Sequence, residues 1–158
     1  MADIASRFAG GLVVKSLAET EDLAGRIARS LGAGDAIALE GDLGAGKTTL
    51  ARGILRALGV SEAVPSPTFT LVQEYQAGGL RVLHCDLFRV ENAAELDELG
   101  LDEALTDGAV LIEWPERARE RLRQDALSIR IEILSESERR MELSGPARWA
   151  HLVAGVGN

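Results

Sequence analysis

The architecture of this 158-residue chain follows from one segment, Gly41-Asp42-Leu43-Gly44-Ala45-Gly46-Lys47-Thr48. The segment matches the phosphate-binding pattern G-x-x-x-x-G-K-[ST] at every fixed position. Such a loop needs glycine because its backbone N–H groups must approach an anion closely, where a Cβ atom would obstruct the anion or φ must be positive. The pattern also assigns roles to its last two residues: Lys47 reaches the β- and γ-phosphates, and the Thr48 hydroxyl binds Mg²⁺.

The residues on either side of this segment supply the strand and the helix that a phosphate-binding loop joins. Residues 36–40 form a short, mostly apolar run that is typical of a buried parallel strand. After the loop, apolar side chains recur at helical spacing up to Leu58, and Gly59 lies where a helix would end. Strand, loop and helix in this order indicate a nucleotide-binding site. We assign the nucleotide contacts to the loop and the first helical turn: Asp42, Leu43, Gly44, Ala45, Gly46, Lys47, Thr48 and Thr49.

The rest of the chain predicts one α/β domain over residues 1–158, with flexible tails at 1–10 and 146–158. We expect a mostly parallel central sheet with helices on both faces and a C-terminal antiparallel hairpin. A helix is predicted from an N-cap at Thr20 to Gly32, and one or two short helices in residues 91–106. Strands are predicted at 12–14, 36–40, 70–75, 80–83, 109–113, 127–133 and 141–143.

Composition restricts the classes of function. Hydrophobic residues make up 46% of the chain and charged residues 27%, as in ordinary globular domains. The net charge of −8 argues against independent nucleic-acid binding, because basic side chains that neutralise phosphates supply most of that affinity. Cys85, the single cysteine, permits no internal disulfide, and no apolar run is long enough to cross a membrane. A cytoplasmic location is therefore expected.

Four further features are candidates for the chemistry. Residues 65–69 carry two prolines and form either a plain connector or a switch-like segment that presents hydroxyls to the γ-phosphate. Asp86 follows a strand and either positions a water molecule or caps a turn. Glu113 ends a second buried strand, where a phosphate-loop protein usually places the acidic group that steadies Mg²⁺. Trp114 belongs either to the core or to the wall of the nucleotide pocket.

Four segments together resemble one bacterial family, the TsaE (YjeE) ATPases of tRNA threonylcarbamoyladenosine biosynthesis. The likeness runs from about Thr20 to the final hairpin. The segments are Gly41-Asp42-Leu43-Gly44-Ala45-Gly46-Lys47-Thr48-Thr49, Pro65-Ser66-Pro67-Thr68-Phe69, His84-Cys85-Asp86-Leu87-Phe88-Arg89 and Glu113-Trp114-Pro115-Glu116. The resemblance implies a Mg²⁺-dependent ATPase that docks on the TsaB–TsaD heterodimer and resets this threonylcarbamoyl transferase between turnovers. It also implies a slow, partner-stimulated rate and contact with tRNA only through the complex.

The resemblance assigns roles to individual residues. Lys47 keeps its role at the phosphates, and Thr68 matches the switch-like threonine. Asp86 matches the acidic residue of an H-x-D-x-Y-R motif, and Glu113 matches the Mg²⁺-linked carboxylate. Trp114 matches the motif tryptophan, which favours the pocket wall. The catalytic set implied is Lys47, Thr68, Asp86 and Glu113.

The nucleotide base is implied to lie between the N-terminal segment and the last hairpin. In this sequence that arrangement points to Leu17 and Arg139. One departure from the family pattern is Phe88, which stands where the family usually has tyrosine and therefore lacks its hydroxyl.

Two other classes share the loop. A small-molecule kinase also needs a second substrate pocket and usually a basic lid, and the arginines at 117, 119, 121 and 123 do not form a lid insertion. A GTP switch is suggested by Asp97-Glu98-Leu99-Gly100, which fits D-x-x-G. However, neither Asn92 nor Asn158 begins the N-K-x-D segment that guanine recognition uses. Adenine is therefore the expected base.

Overall fold

Seven strands form one sheet in the computed structural model, which describes residues 6–65, 71–118 and 126–154. The strand order is β1-β7-β6-β2-β5-β4-β3. The strands are β1 (Arg7–Val14), β2 (Ala36–Gly41), β3 (Val72–Ala77), β4 (Leu80–Asp86), β5 (Gly108–Glu113), β6 (Leu127–Ile133) and β7 (Arg139–Pro146). The α-helices are α1 (Leu17–Ser30), α2 (Lys47–Ala57), α3 (Ala93–Glu98) and α4 (Leu101–Ala104). Two short 3₁₀ turns lie at Pro115–Ala118 and Ala147–Leu152.

The centre of the sheet is parallel. Strand β2 pairs with β5 on one side and β6 on the other, and β5 pairs with β4, all in parallel. Every residue of β2 from Ala36 to Leu39, and every residue of β5, is buried. Such uninterrupted apolar runs are what a strand covered on both faces requires. The outer pairs β3–β4, β6–β7 and β1–β7 are antiparallel.

Helices cover both faces of this parallel centre. Helices α1 and α2 pack on one face with the apolar core that contains Ile27, Ile54 and Leu111. Helices α3 and α4 lie on the other face, over a second core that contains Leu96 and Leu105. The predicted α/β fold, with its parallel centre and C-terminal antiparallel hairpin, is confirmed.

Helix α1 begins earlier than its predicted N-cap at Thr20. The cap is Ser16, whose side-chain oxygen accepts a hydrogen bond from the Glu19 backbone N–H at 3.1 Å. The Glu19 carboxylate in turn accepts from the Lys15 backbone N–H at 2.9 Å. Ser16 and Glu19 thus have the S-x-x-E spacing of a capping box, which places the helix start one turn before Thr20.

Within the part of the chain that the structure describes, both predicted tails contain regular structure. Residues 7–10 are paired with β7 as the first half of β1. The turn Ala147–Leu152 buries Trp149, of which 1% is exposed, against the core of α1 and α2. A large apolar side chain near a terminus orders that terminus because its burial outweighs the entropy of the free chain.

Two predicted features lie outside the described residues. The switch-like segment at 65–69 falls there except for residue 65, so the position of Thr68 is not described. The same holds for the arginines at 119, 121 and 123. Across residues 6–65, 71–118 and 126–154, no helix has both the length and the apolar character needed to cross a membrane.

Candidate functional site

The glycine loop (residues 41–48) joins the end of β2 to the start of α2. Gly44 and Gly46 have φ angles of +81° and +113°, which L residues with side chains rarely adopt. A Cβ at either position would meet no described atom within 4 Å beyond its chain neighbours. Gly41 differs, because a Cβ there would lie 2.7 Å from the carbonyl oxygen of Ile131 in β6. Gly41 is therefore required by packing, whereas Gly44 and Gly46 are required by backbone conformation beside an open surface.

Lys47 is the first residue of α2, and only 5% of it is exposed. Its ammonium group donates to the carbonyl oxygens of Gly41 and Asp42, the latter at 3.1 Å. It also lies 4.0 Å from the centre of the Trp114 ring, a cation–π contact. Desolvation lowers the pKa of Lys47, while the charges of Glu113 and other nearby carboxylates oppose this shift. The loop therefore holds a partly desolvated cation at the N-terminus of a helix, where an anion is favoured.

Thr48 is linked to the sheet through Glu113. Its Oγ1 donates to the Glu113 carboxylate and lies 2.9 Å from each of the two oxygens. The carboxylate also contacts His84, whose Nε2 is 2.7 Å from Oε2. Because an ionised carboxylate only accepts hydrogen bonds, this geometry assigns the ring proton to Nε2. A helix N-terminus and the carboxyl ends of β4 and β5 thus meet in one hydrogen-bonded chain.

Asp86 lies beside Glu113 because β4 and β5 pair in parallel with these residues in register. It is buried, and its Oδ1 accepts from the Phe88 backbone N–H at 2.9 Å. This bond caps the turn that follows β4. The same residue also lines the cleft at the glycine loop. The turn-cap interpretation of Asp86 describes this contact, and its role in positioning a water molecule stays a prediction.

Trp114 follows Glu113 directly and has a φ of +58°, unusual for a residue with a side chain. Its backbone N–H donates to the Leu39 carbonyl at 3.3 Å, and its ring packs on Phe88 with centres 4.8 Å apart. Trp114 is half-buried against the second core and also lines the cleft. Non-glycine residues in this region cost about 1–3 kcal/mol and concentrate at functional sites.

Most predicted site residues surround one cleft of about 220 Å³. Its lining is Leu43, Gly44, Gly46, Lys47, Thr48, Thr49, Asp86, Glu113 and Trp114. Asp42 and Ala45 close the loop through a hydrogen bond from the Ala45 N–H to the Asp42 carbonyl at 3.0 Å. The structure thus brings the loop, the two strand-end carboxylates and the tryptophan together.

A second cleft of about 240 Å³ adjoins the first and shares Gly44, Gly46 and Thr49 with it. It lies between the start of α1 and the β6–β7 turn, and both Leu17 and Arg139 line it. Leu17 is 60% exposed, and the Arg139 Nε donates to the Ala45 carbonyl at 2.9 Å. The two residues predicted to hold the base are therefore placed next to the glycine loop, and their role stays a prediction.

A larger concavity of the described surface, about 700 Å³, lies elsewhere. It is formed by the open side of β1, β6 and β7 and is lined by residues such as Gly11, Arg130 and Glu142. Size alone does not identify the functional site, because the convergent polar groups lie in the smaller cleft.

In the sequence analysis, His84 is named only as part of a motif and is given no role. The signal was its spacing of two from Asp86 within a strand, which puts both side chains on one face of β4. Cys85 lies on the opposite face, where it is buried in the second core and desolvation raises the pKa of its thiol.

The donor set of the cleft suits Mg²⁺. Thr48 offers a hydroxyl oxygen, and Glu113 and Asp86 offer carboxylate oxygens, the hard ligands that Mg²⁺ prefers. Among the described residues, no three His, Cys, Asp or Glu side chains form a dedicated metal cluster. Few protein ligands are enough for Mg²⁺, because this ion usually keeps several water ligands and also binds the phosphates of the substrate.

These features first define a class: an α/β protein whose glycine-rich loop joins a buried parallel strand to a helix, beside two strand-end carboxylates. The family model described as "Threonylcarbamoyl adenosine biosynthesis protein TsaE" matches residues 14–141. The chain belongs to the TsaE family, and the resemblance seen in the sequence is confirmed.

Individual relatives agree with this assignment. The chain is 43% identical over 122 residues to the tRNA threonylcarbamoyladenosine biosynthesis protein TsaE of Bacillus subtilis, covering 77% of this chain and 76% of the relative. It is 39% identical over 141 residues to the protein of the same name from Mycobacterium tuberculosis, covering 84% of each. A crystal structure of Bacillus subtilis YdiB superposes with a TM-score of 0.77 at 32% identity, over 92% of both chains.

Proposed function

We propose that this protein is the Mg²⁺-dependent ATPase of tRNA threonylcarbamoyladenosine biosynthesis, acting in the cytoplasm with the TsaB–TsaD transferase. The observation that carries the proposal is the buried Lys47 ammonium inside the glycine loop, next to the Thr48–Glu113 pair. Family membership supplies the pathway. ATP is favoured over GTP because the sequence has no N-K-x-D segment.

The chain's own groups suit a triphosphate. The N–H groups of the glycine loop and the first turn of α2 would bind the phosphates, since the helix N-terminus favours negative charge. Lys47 now donates to two loop carbonyls and would exchange them for oxygens of the β- and γ-phosphates. Thr48 and Glu113 would hold Mg²⁺, which neutralises the charge on the transferring phosphoryl group.

The two carboxylates have different tasks in this proposal. Glu113 already accepts hydrogen bonds from Thr48 and His84, which ties it to the Mg²⁺ side of the site. Asp86 lies on the neighbouring strand and faces the same cleft, so we assign it to the attacking water. Thr68, from the segment outside the described residues, is kept as the switch-like residue at the γ-phosphate.

The negative net charge of the chain is consistent with a role in which partner proteins bind the tRNA. With a net charge of −8, the chain is poorly suited to hold tRNA by itself. In the proposal, TsaB–TsaD makes most of the tRNA contact, and ATP hydrolysis by this subunit drives turnover of the transferase. The rate of the isolated subunit is expected to be slow and to rise when the pair binds.

The test is ATP hydrolysis by the purified chain, alone and with TsaB–TsaD and tRNA. A slow rate that rises with the pair and disappears in Lys47→Ala supports the proposal. Lys15→Ala is the matched control, because Lys15 is the only other lysine and is exposed. An ATP hydrolysis rate that does not change with TsaB–TsaD but rises with a small hydroxylated metabolite would indicate a kinase instead.

A further inference from the structure

His84 is a buried polar residue that the proposed function mentions only as a hydrogen-bond partner of Glu113. None of its surface is exposed. Its Nε2 donates to Glu113 Oε2 at 2.7 Å, while its Nδ1 has no hydrogen-bond partner among the described residues. Leaving a buried polar atom unpaired destabilises a fold. An apolar side chain of similar size would avoid that penalty at this position.

What histidine supplies here is therefore the Nε2–H bond to Glu113. Thr48 contacts both oxygens of that carboxylate from the side of α2, and His84 contacts one oxygen from within β4. Two donors on different elements fix the rotation of the carboxylate about its last side-chain bond. With only the Thr48 contact, the carboxylate could turn away while keeping a hydrogen bond through either oxygen.

We propose that His84 is a positioning residue that orients the Glu113 carboxylate and, through it, the Thr48 hydroxyl at the Mg²⁺ site. The inference rests on the proposed function, since it assumes that Thr48 and Glu113 hold Mg²⁺ with a nucleotide. Partners that orient metal-linked groups typically change metal affinity by about 10- to 100-fold when removed. His84 thus sets how strongly Mg²⁺ tightens nucleotide binding, without touching the nucleotide itself.

The experiment measures the affinity for a fluorescent ADP analogue, N-methylanthraniloyl-ADP, with MgCl₂ and with EDTA. In His84→Leu, the gain in affinity from Mg²⁺ is expected to shrink by about 10- to 100-fold, while the affinity in EDTA stays the same. In His84→Gln the amide N–H can replace Nε2–H, so most of the Mg²⁺ gain should return. Val82→Ala is the control, because Val82 is fully buried on the same face of β4, two residues away from His84.

The outcomes separate positioning from plain packing. An unchanged Mg²⁺ gain in His84→Leu, or an equal loss with MgCl₂ and with EDTA, overturns the inference. If His84→Leu does not fold, His84→Asn replaces it, because its shorter amide does not reach Glu113, and a wild-type Mg²⁺ gain in that variant overturns the inference. If the wild-type protein binds the ADP analogue equally well with MgCl₂ and with EDTA, the proposed function on which the inference rests is refuted instead.

Discussion

The two kinds of glycine in the loop should respond differently to alanine. Gly41→Ala puts a methyl group 2.7 Å from the Ile131 carbonyl oxygen, which belongs to the backbone of β6 and is not free to move aside. Overpacking of this kind costs about 1–3 kcal/mol, and the positive φ of +154° adds about 1–3 kcal/mol. The expected loss of unfolding free energy is therefore about 2–6 kcal/mol.

In Gly44→Ala the added methyl group lies in open space. The loss of unfolding free energy therefore comes only from the left-handed backbone conformation and is about 1–2 kcal/mol. For a chain of this length 1 kcal/mol shifts Tm by about 2–4 °C. Gly41→Ala should then melt on the order of 10 °C below wild type and Gly44→Ala only a few degrees below it. Nucleotide affinity should show the opposite order in the folded proteins, because Gly44 lines the cleft whereas Gly41 packs on β6.

The assay is thermal unfolding followed by circular dichroism, paired with nucleotide binding below the melting range. Gly46→Ala is a second control, since it also has a positive φ and open space at its Cβ position. Equal melting temperatures for the Gly41 and Gly44 variants would refute the reasoning, because the contact with Ile131 would then contribute nothing.

Three further predictions concern the residues beside the loop. Thr48→Val, which keeps the shape but loses the hydroxyl, should weaken the Mg²⁺ dependence of ATP hydrolysis by about 10-fold or more, while Thr48→Ser should keep it; a Mg²⁺ titration of the rate decides. Trp114→Gly should be more stable than Trp114→Ala by about 1 kcal/mol in urea unfolding, because only glycine relieves the strain at φ +58°; the reverse order would count against that strain. Burial lowers the pKa of Lys47, so its charge destabilises the fold below the folded-state pKa and this penalty disappears as pH approaches the unfolded value of 10.5. Wild type should therefore gain stability relative to Lys47→Met as pH rises from the lowered folded-state pKa toward 10.5, and a difference that is flat with pH would contradict the shift.

The sequence predicted the centre of the fold well because its signals there are local. A buried strand, a glycine loop and an amphipathic helix follow one another from Ala36 to Ala57, and each constrains the next. The two strand-end carboxylates were also found, since Asp86 and Glu113 end apolar runs. Parallel strands bring such ends to one edge of the sheet, so the sequence placed them at the same site.

The errors came from contacts that no local pattern reveals. The predicted N-cap at Thr20 is wrong although Ser16 and Glu19 have the S-x-x-E spacing of a capping box, because the acidic residues after Thr20 resemble those of a first helical turn. The order of the C-terminal segment has no local signal either, because it depends on Trp149, which packs against α1, more than 100 residues earlier in the chain. The contact between His84 and Glu113 was not predicted because Glu113 lies on another strand, 29 residues away.

The register between β4 and β5 decides which buried charged groups meet in the cleft. Pairing places Asp86 directly beside Glu113, at the spacing of neighbouring strands, which is about 4.8 Å. Two carboxylates that face one cleft from neighbouring strands repel each other unless cations are nearby. Lys47 supplies one positive charge at the same cleft, and bound Mg²⁺ would supply two more. A shift of β4 by one residue would turn both His84 and Asp86 to the opposite face, which removes the Glu113 contact and one carboxylate together. The chemistry of the cleft is therefore a property of sheet register as much as of the glycine loop.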